Sequence, residues 1–148
     1  MDIKIICDEE QYVFYKDKFE LIGFTVSEEA HLVFRDLNYQ VQTLTVQKNG
    51  DKLRIPIADV FLIESFGRNI LIHVENESFN IDKRLYQLES ELTQYKFIRV
   101  NKSQILNTKK IKKMRSLINY KIKVTLKNNQ IIYVTRGYYH IFKEIMEI

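Results

Sequence analysis

Residues 97–117 read FIRVNKSQILNTKKIKKMRSL. On an apolar frame of Phe97, Ile98, Val100, Ile105, Leu106, Ile111, Met114 and Leu117 they carry seven lysines or arginines, three amides and no carboxylate. Two conformations fit this pattern. Ile111, Met114 and Ile118 recur at helical spacing with lysines opposite, as in a recognition helix. The same residues also allow a strand and turn, one helical turn and a further strand. Local periodicity leaves both open, so the choice falls to the surrounding chain.

The charge of the stretch extends in both directions. Between Glu91 and Glu144 there is no Asp or Glu, against thirteen Lys or Arg. Residues 1–48 hold five bases and nine acids, net −4, whereas residues 49–148 hold eighteen bases and ten acids, net +8. So one-sided a field attracts polyanions and costs self-repulsion in the folded state. A surface serving solubility alone would mix the two signs. Nucleic acid or another polyanion is therefore the expected partner.

Before the basic half, the first 42 residues read as a small acidic α/β unit. IKIIC and HLVFRD suit short strands, and Tyr12, Tyr15, Phe19 and Ile22 fall near helical spacing ahead of Gly23. Asp8, Glu9 and Glu10 follow the first strand as the acids of a receiver domain do. Too little chain follows to complete a receiver, so they are read as a helix N-terminus favoured by the macrodipole. A regulatory or dimerisation role is expected for this unit.

From residue 43 to 148 the texture is mainly β. TLTVQKNGDKLRIPI alternates around Asn49-Gly50, a hairpin signal. DVFLIESF and NILIHV flank a turn in which Gly67 or Asn69 can take positive φ. KIKVTLKNNQIIYVT sets Ile122, Val124 and Leu126 against Lys121, Lys123 and Thr125 and turns at Asn128-Asn129. Two short helices are expected. One carries Leu85, Leu88 and Leu92 behind Asp82 as N-cap, and the other carries Tyr138, Ile141, Phe142 and Ile145.

Several function classes lack their residues. Cys7 is the single cysteine, so no intramolecular disulfide or cysteine-built zinc site can form; in its apolar run it is expected to be a small core residue. His31, His73 and His140 have no ligand spacing, and no nucleophile elbow, phosphate-binding glycine loop or carboxylate pair occurs. No metal, cofactor, small-molecule substrate or enzymatic activity is expected. The N-terminus lacks a secretory pattern and no apolar run reaches membrane-helix length, so a cytoplasmic location is expected.

Four signatures in fixed order, IPIADVFLIES, LYQLESEL, FIRVNKSQILNTKKI and VTRGYYHIFKEI, resemble the LytTR DNA-binding domain of LytR, AlgR and AgrA type regulators. The resemblance covers about the last hundred residues. In the third signature Arg99, Val100, Ser103, Ile105, Leu106, Asn107 and Ile111 match the family pattern, while Asn101-Lys102 stands where members carry His-Arg. Lysine lacks the planar fork of arginine, which bears on the base preferred there.

The resemblance implies an elongated, mainly β domain of small antiparallel sheets with one or two short helices. It also implies loops rather than an inserted helix in successive major grooves, and paired direct repeats in promoter DNA bound by two copies. A small member without a full receiver is often controlled by a co-expressed membrane inhibitor. Carried over residue by residue, the base-reading set is Arg68 and Asn69, Asn101 and Lys102, and Arg136. Arginine offers guanine a two-donor fork and asparagine pairs with adenine. Lys109, Lys110, Lys112, Lys113, Arg115, Lys121 and Lys123 suit phosphates, which fix register without reading sequence. Arg99 is expected to brace Glu64 or another acid, and Ser103 and Asn107 to satisfy turn backbone or touch DNA. An alternative from another class is a protein-interaction or regulatory module acting through the N-terminal unit, with only non-specific nucleic-acid binding.

Overall fold

The computed structural model describes residues 1–36 and 43–148. The chain divides into two compact units, Met1–Val41 and Gln42–Ile148. The expected boundary between residues 42 and 43 borders the segment that lies outside the described residues.

In the first unit, β1 (Asp2–Ile6) lies between β2 (Thr25–Val26) and β3 (Leu32–Arg35) in a parallel sheet. Helix α1 (Glu9–Leu21) starts at Asp8, with Glu9 and Glu10 in its first turn. Tyr15 meets Phe34 at a tilt and Phe19 meets it edge-on, at ring-centroid distances of 4.8 and 5.0 Å, and Ile3 and Ile5 are buried. Ile22, expected on that face, is instead exposed at the helix C-cap, because the chain turns there at Gly23 with φ of 97°. Cys7 is only half-buried rather than a core residue. Desolvation, with Asp36 and Asp8 nearby, pushes its thiol pKa up, which disfavours the reactive thiolate.

The second unit is built on a seven-stranded antiparallel sheet of order β5-β4-β8-β7-β6-β10-β9. Its strands are β4 (Thr43–Lys48), β5 (Asp51–Pro56), β6 (Leu62–Phe66), β7 (Asn69–His73), β8 (Ser78–Asn80), β9 (Phe97–Asn101) and β10 (Gln104–Asn107). Asn49 and Gly50 both take positive φ, 52° and 84°, between paired Lys48 and Asp51. That is the mirror-image turn a two-residue hairpin requires. In the β6–β7 turn only Gly67 is positive, at 62°, and Asn69 pairs with Phe66 as the first residue of β7.

A 3-10 turn at Thr108–Lys110 leads into β11 (Ile111–Leu117), β12 (Lys121–Leu126) and β13 (Ile131–Val134), a three-stranded antiparallel meander. Residues 97–117 are therefore strand, turn, strand, helical turn and strand. Helix α2 (Leu85–Leu92) precedes β9 and α3 (Arg136–Met146) follows β13. The N-cap of α2 is Arg84 rather than Asp82: Gln87 accepts the Arg84 backbone N–H at 2.8 Å and closes the first turn from within.

Two apolar cores form on opposite faces of the large sheet. Ile63, Ile72 and Ile105 pack with Leu88 and Leu92 of α2. Leu62, Ile98 and Leu106, their strand neighbours pointing the other way, pack with Ile122, Val124, Val134 and Phe142. On α3 the buried stripe is Tyr138, Tyr139, Phe142 and Met146, leaving Ile141 and Ile145 exposed at 58% and 56%. The residue pattern allowed either stripe, and contact of α3 with β9, β12 and β13 selects the first.

Candidate nucleic-acid interface

Three loops carry the base-reading residues expected from sequence, and backbone hydrogen bonds lace them side by side. The Ser65 N–H beside the β6–β7 turn donates to the Ser103 carbonyl at 2.8 Å. The Thr135 N–H, just ahead of α3, donates to the Val100 carbonyl at 3.1 Å. Arg68 and Asn69 at the first loop, Lys102 at the second and Arg136 at the third are all exposed.

Asn101 is differently placed. Its Nδ2 donates to Gln104 Oε1 at 2.7 Å and to the Tyr133 carbonyl at 3.1 Å. Its Oδ1 accepts from the backbone and hydroxyl of Ser103 at 3.0 and 3.2 Å. The amide is thus committed internally, holding the two-residue turn that displays Lys102. Beneath it, Gln104 Nε2 donates to Glu64 Oε2 at 2.7 Å, and Glu64 Oε1 lies 3.1 Å from His73 Nε2. His73 Nδ1 in turn sits 2.6 Å from Ser78 Oγ. A polar chain therefore runs across four strands to the reading turn.

Arg99 clamps the same turn from the other side of the strand. It binds Glu89 of α2 at 3.2 Å rather than Glu64, and donates to the carbonyls of Asn101 and Lys102. Glu64 is taken by Gln104 and His73, on the opposite face of the sheet. Asn107 is 2% exposed. Its Nδ2 donates to the Val60 carbonyl at 2.8 Å and its Oδ1 caps Lys109 N–H at 3.1 Å, so it serves the backbone.

Arg136 forms no ion pair among the described residues, and its guanidinium lies 5.1 Å from the Tyr120 ring. Tyr120 also meets the rings of Tyr139 and His140. It takes φ of 57° in the β11–β12 turn, a left-handed conformation that costs a bulky residue. A tyrosine held there provides a platform under Arg136. Nothing local in the sequence marked Tyr120 or Gln104, and Glu64, expected beside Arg99, instead holds Gln104 and His73, because each acts through a partner distant along the chain.

The seven phosphate candidates do not form one patch. Arg115 sits directly opposite Lys123, which pairs on its other side with Tyr133; Lys113 pairs with Thr125, and Lys121 begins β12 beside Tyr120. Like charges facing across strands are unfavourable without an anion. Lys109, Lys110 and Lys112 lie at the far end, about 17 Å along β12 at about 3.4 Å per residue. There Lys112 donates to Asn129 Oδ1 at 3.2 Å, and Lys110 covers the Phe61 ring at 4.8 Å beside a hollow lined by Asp59, Glu75 and Glu77.

This architecture is that of a β-built DNA-binding domain with loops at one end. Residues 51–147 match the LytTr DNA-binding domain family, and the chain belongs to that family. An uncharacterized HTH-type transcriptional regulator of Staphylococcus aureus (strain NCTC 8325 / PS 47) is 34% identical over 94 residues, 64% of this chain and 63% of that protein. One from strain bovine RF122 / ET3-1 is 35% identical over the same span. The chain thus spans less than two thirds of the length of these relatives. A solved LytTr DNA-binding domain from Bacillus cereus superposes with a TM-score of 0.69 at 19% identity, covering 72% of this chain and 98% of that one.

Although those relatives are named HTH-type, strands separate α1, α2 and α3 here, so no two of them form a helix-turn-helix. Among the described residues no helix is long and apolar enough to cross a membrane, and no group of three metal-ligating side chains occurs.

Proposed function

We propose that the chain is a sequence-specific DNA-binding transcriptional regulator that reads bases with Arg68, Asn69, Lys102 and Arg136 and binds paired direct repeats in promoter DNA as two copies. Lacing of the three exposed loops along one end carries this reading, because it presents their donors together without a recognition helix. Asn101 takes a positioning role. Arg115, Lys121, Lys123 and Lys113 meet phosphates, whereas Lys110, beside acids, is the least suited of the seven. Family membership and the regulators named among the relatives support the same reading.

Selecting duplexes from a random pool and titrating the winner against a scrambled duplex tests it. Arg136→Ala is expected to weaken the selected duplex by about 1–3 kcal/mol, roughly 5- to 150-fold, and the scrambled one far less. Lys123→Ala is expected to weaken both and to reduce the salt slope by about 0.9, while Lys110→Ala leaves the slope unchanged. Equal binding of selected and scrambled duplex by the wild type would remove sequence specificity.

For the acidic N-terminal unit we propose a regulatory or dimerisation role. A parallel sheet is ordinarily covered on both faces, and among the described residues of this unit α1 is the single helix. Removing residues 1–42 is expected to change the stoichiometry on a two-repeat duplex, measured by sedimentation. Unchanged stoichiometry and affinity would leave the unit outside DNA binding.

A further inference from the structure

We propose that the open groove between the β6–β7 hairpin and α2 is a second phosphate site, taking the DNA strand that lies across the major groove from the one met by the β11–β12 face. The inference rests on the functional reading above. The groove has a volume of about 1490 Å³ and is continuous with the reading end, since Arg68 and Lys102 stand on its rim. Arg84 and Lys83 line it from the start of α2, and among the described residues Asp82 is the one carboxylate in its lining.

Its cations are not equally occupied. Arg99 is held by Glu89 and Lys83 by Glu91 at 2.7 Å, whereas Arg68, Arg84 and Lys102 form no ion pair among the described residues. With Arg68 and Lys102 on the rim directed to bases, Arg84 is the unpaired cation of the wall left to meet a phosphate, and the positive charge beside it on the rim favours an anion there. The side chains of Gln47 and Asn80 add neutral hydrogen-bonding groups to the wall.

Position argues for a strand of DNA. Ile70, Ile81 and Leu85 line the groove and pack into the core on the α2 face of the large sheet. The β11–β13 sheet packs on the opposite face. Loops entering a major groove about 12 Å wide are flanked by two phosphate backbones. The lysines and arginines of β11 and β12 address one of them. On the α2 face, the cations of the groove stand beside the reading loops, where the other backbone would pass.

Arg84→Ala tests the site in the full chain, with the duplex selected by the wild type and its scrambled counterpart titrated from 50 to 200 mM salt, concentrations over which phosphate contacts dominate affinity. The α2 start should survive, because Gln87 bonds the Arg84 backbone rather than its guanidinium; equal thermal melting checks this. The expected result is a salt slope smaller by about 0.9, equal weakening on both duplexes, and restoration by Arg84→Lys.

A wild-type slope for Arg84→Ala, on a duplex the wild type binds, overturns this inference alone. So does pyrophosphate binding that Arg84→Ala abolishes while the slope stays unchanged, which would assign the groove to a free phosphate ligand. A wild-type chain that binds no duplex overturns the functional reading, and this inference with it.

Discussion

Phe142→Ala should lower the stability of the second unit by about 3–5 kcal/mol, a large share of the roughly 5–15 kcal/mol that holds a domain folded. Phe142 is 0% exposed and packs with residues of β9, β10, β12 and β13. Deleting the ring leaves a cavity where α3 meets these four strands, and none can close it without moving the others. Ile141→Ala, one position along the same helix but 58% exposed, should change stability by no more than about 0.5 kcal/mol. Urea unfolding followed by circular dichroism gives both values. Equal costs for the two variants would mean that α3 docks through another stripe. Because Arg136 opens α3 and Thr135 is bonded to β9, the Phe142 variant should also lose specific DNA binding in step with loss of fold.

The residues that made the fold legible are those whose local chemistry has few solutions. Asn49-Gly50, Gly67 and Asn128-Asn129 each sit in a turn, and Asn49, Gly50, Gly67 and Asn129 take the positive φ that such residues tolerate. The alternation through residues 121–124 reproduces the observed inward and outward faces of β12, whereas Thr125, expected outward with Lys121 and Lys123, is buried. The basic stretch resisted the same treatment for a structural reason. A register shift between Ile111 and Lys113 inserts one extra residue in β11 opposite Leu126 and Thr125, so Ile111 and Met114 both turn inward although three positions apart. A β-bulge thereby imitates helical spacing.

Side-chain partners were less legible than elements. Glu64 finds Gln104 forty positions away, and the acid bracing Arg99 proved to be Glu89 because α2 and β9 pack together. On α3, apolar residues at 138, 139, 141, 142, 145 and 146 describe a helix with more than one usable face. The sheet that selects a face is assembled from strands spread over residues 97–134, which periodicity along the helix does not encode.

Asn101→Ala should be the most damaging substitution at the reading end, although the asparagine itself presents no free donor there. The alanine removes four hydrogen bonds, to Gln104, Tyr133 and twice to Ser103. At about 1 kcal/mol net for each well-made bond and less for the longer, more exposed ones, the expected loss is about 2–3 kcal/mol of stability.

The effect on DNA should exceed that of Arg136→Ala, because two loops depend on the same amide. One side of it sets the turn that shows Lys102, and the other anchors the Tyr133 carbonyl, three residues before Arg136. Selected-duplex affinity should fall more than tenfold further than scrambled-duplex affinity at temperatures where the variant remains folded. Asn101→Asp preserves the acceptor for Ser103 but loses both donated bonds and adds a negative charge beside the phosphates, so it should bind both duplexes more weakly than Asn101→Ala does. If Asn101→Ala keeps the wild-type ratio of selected to scrambled binding, its amide positions nothing that reads bases, and Lys102 and Arg136 are aligned by the strands alone.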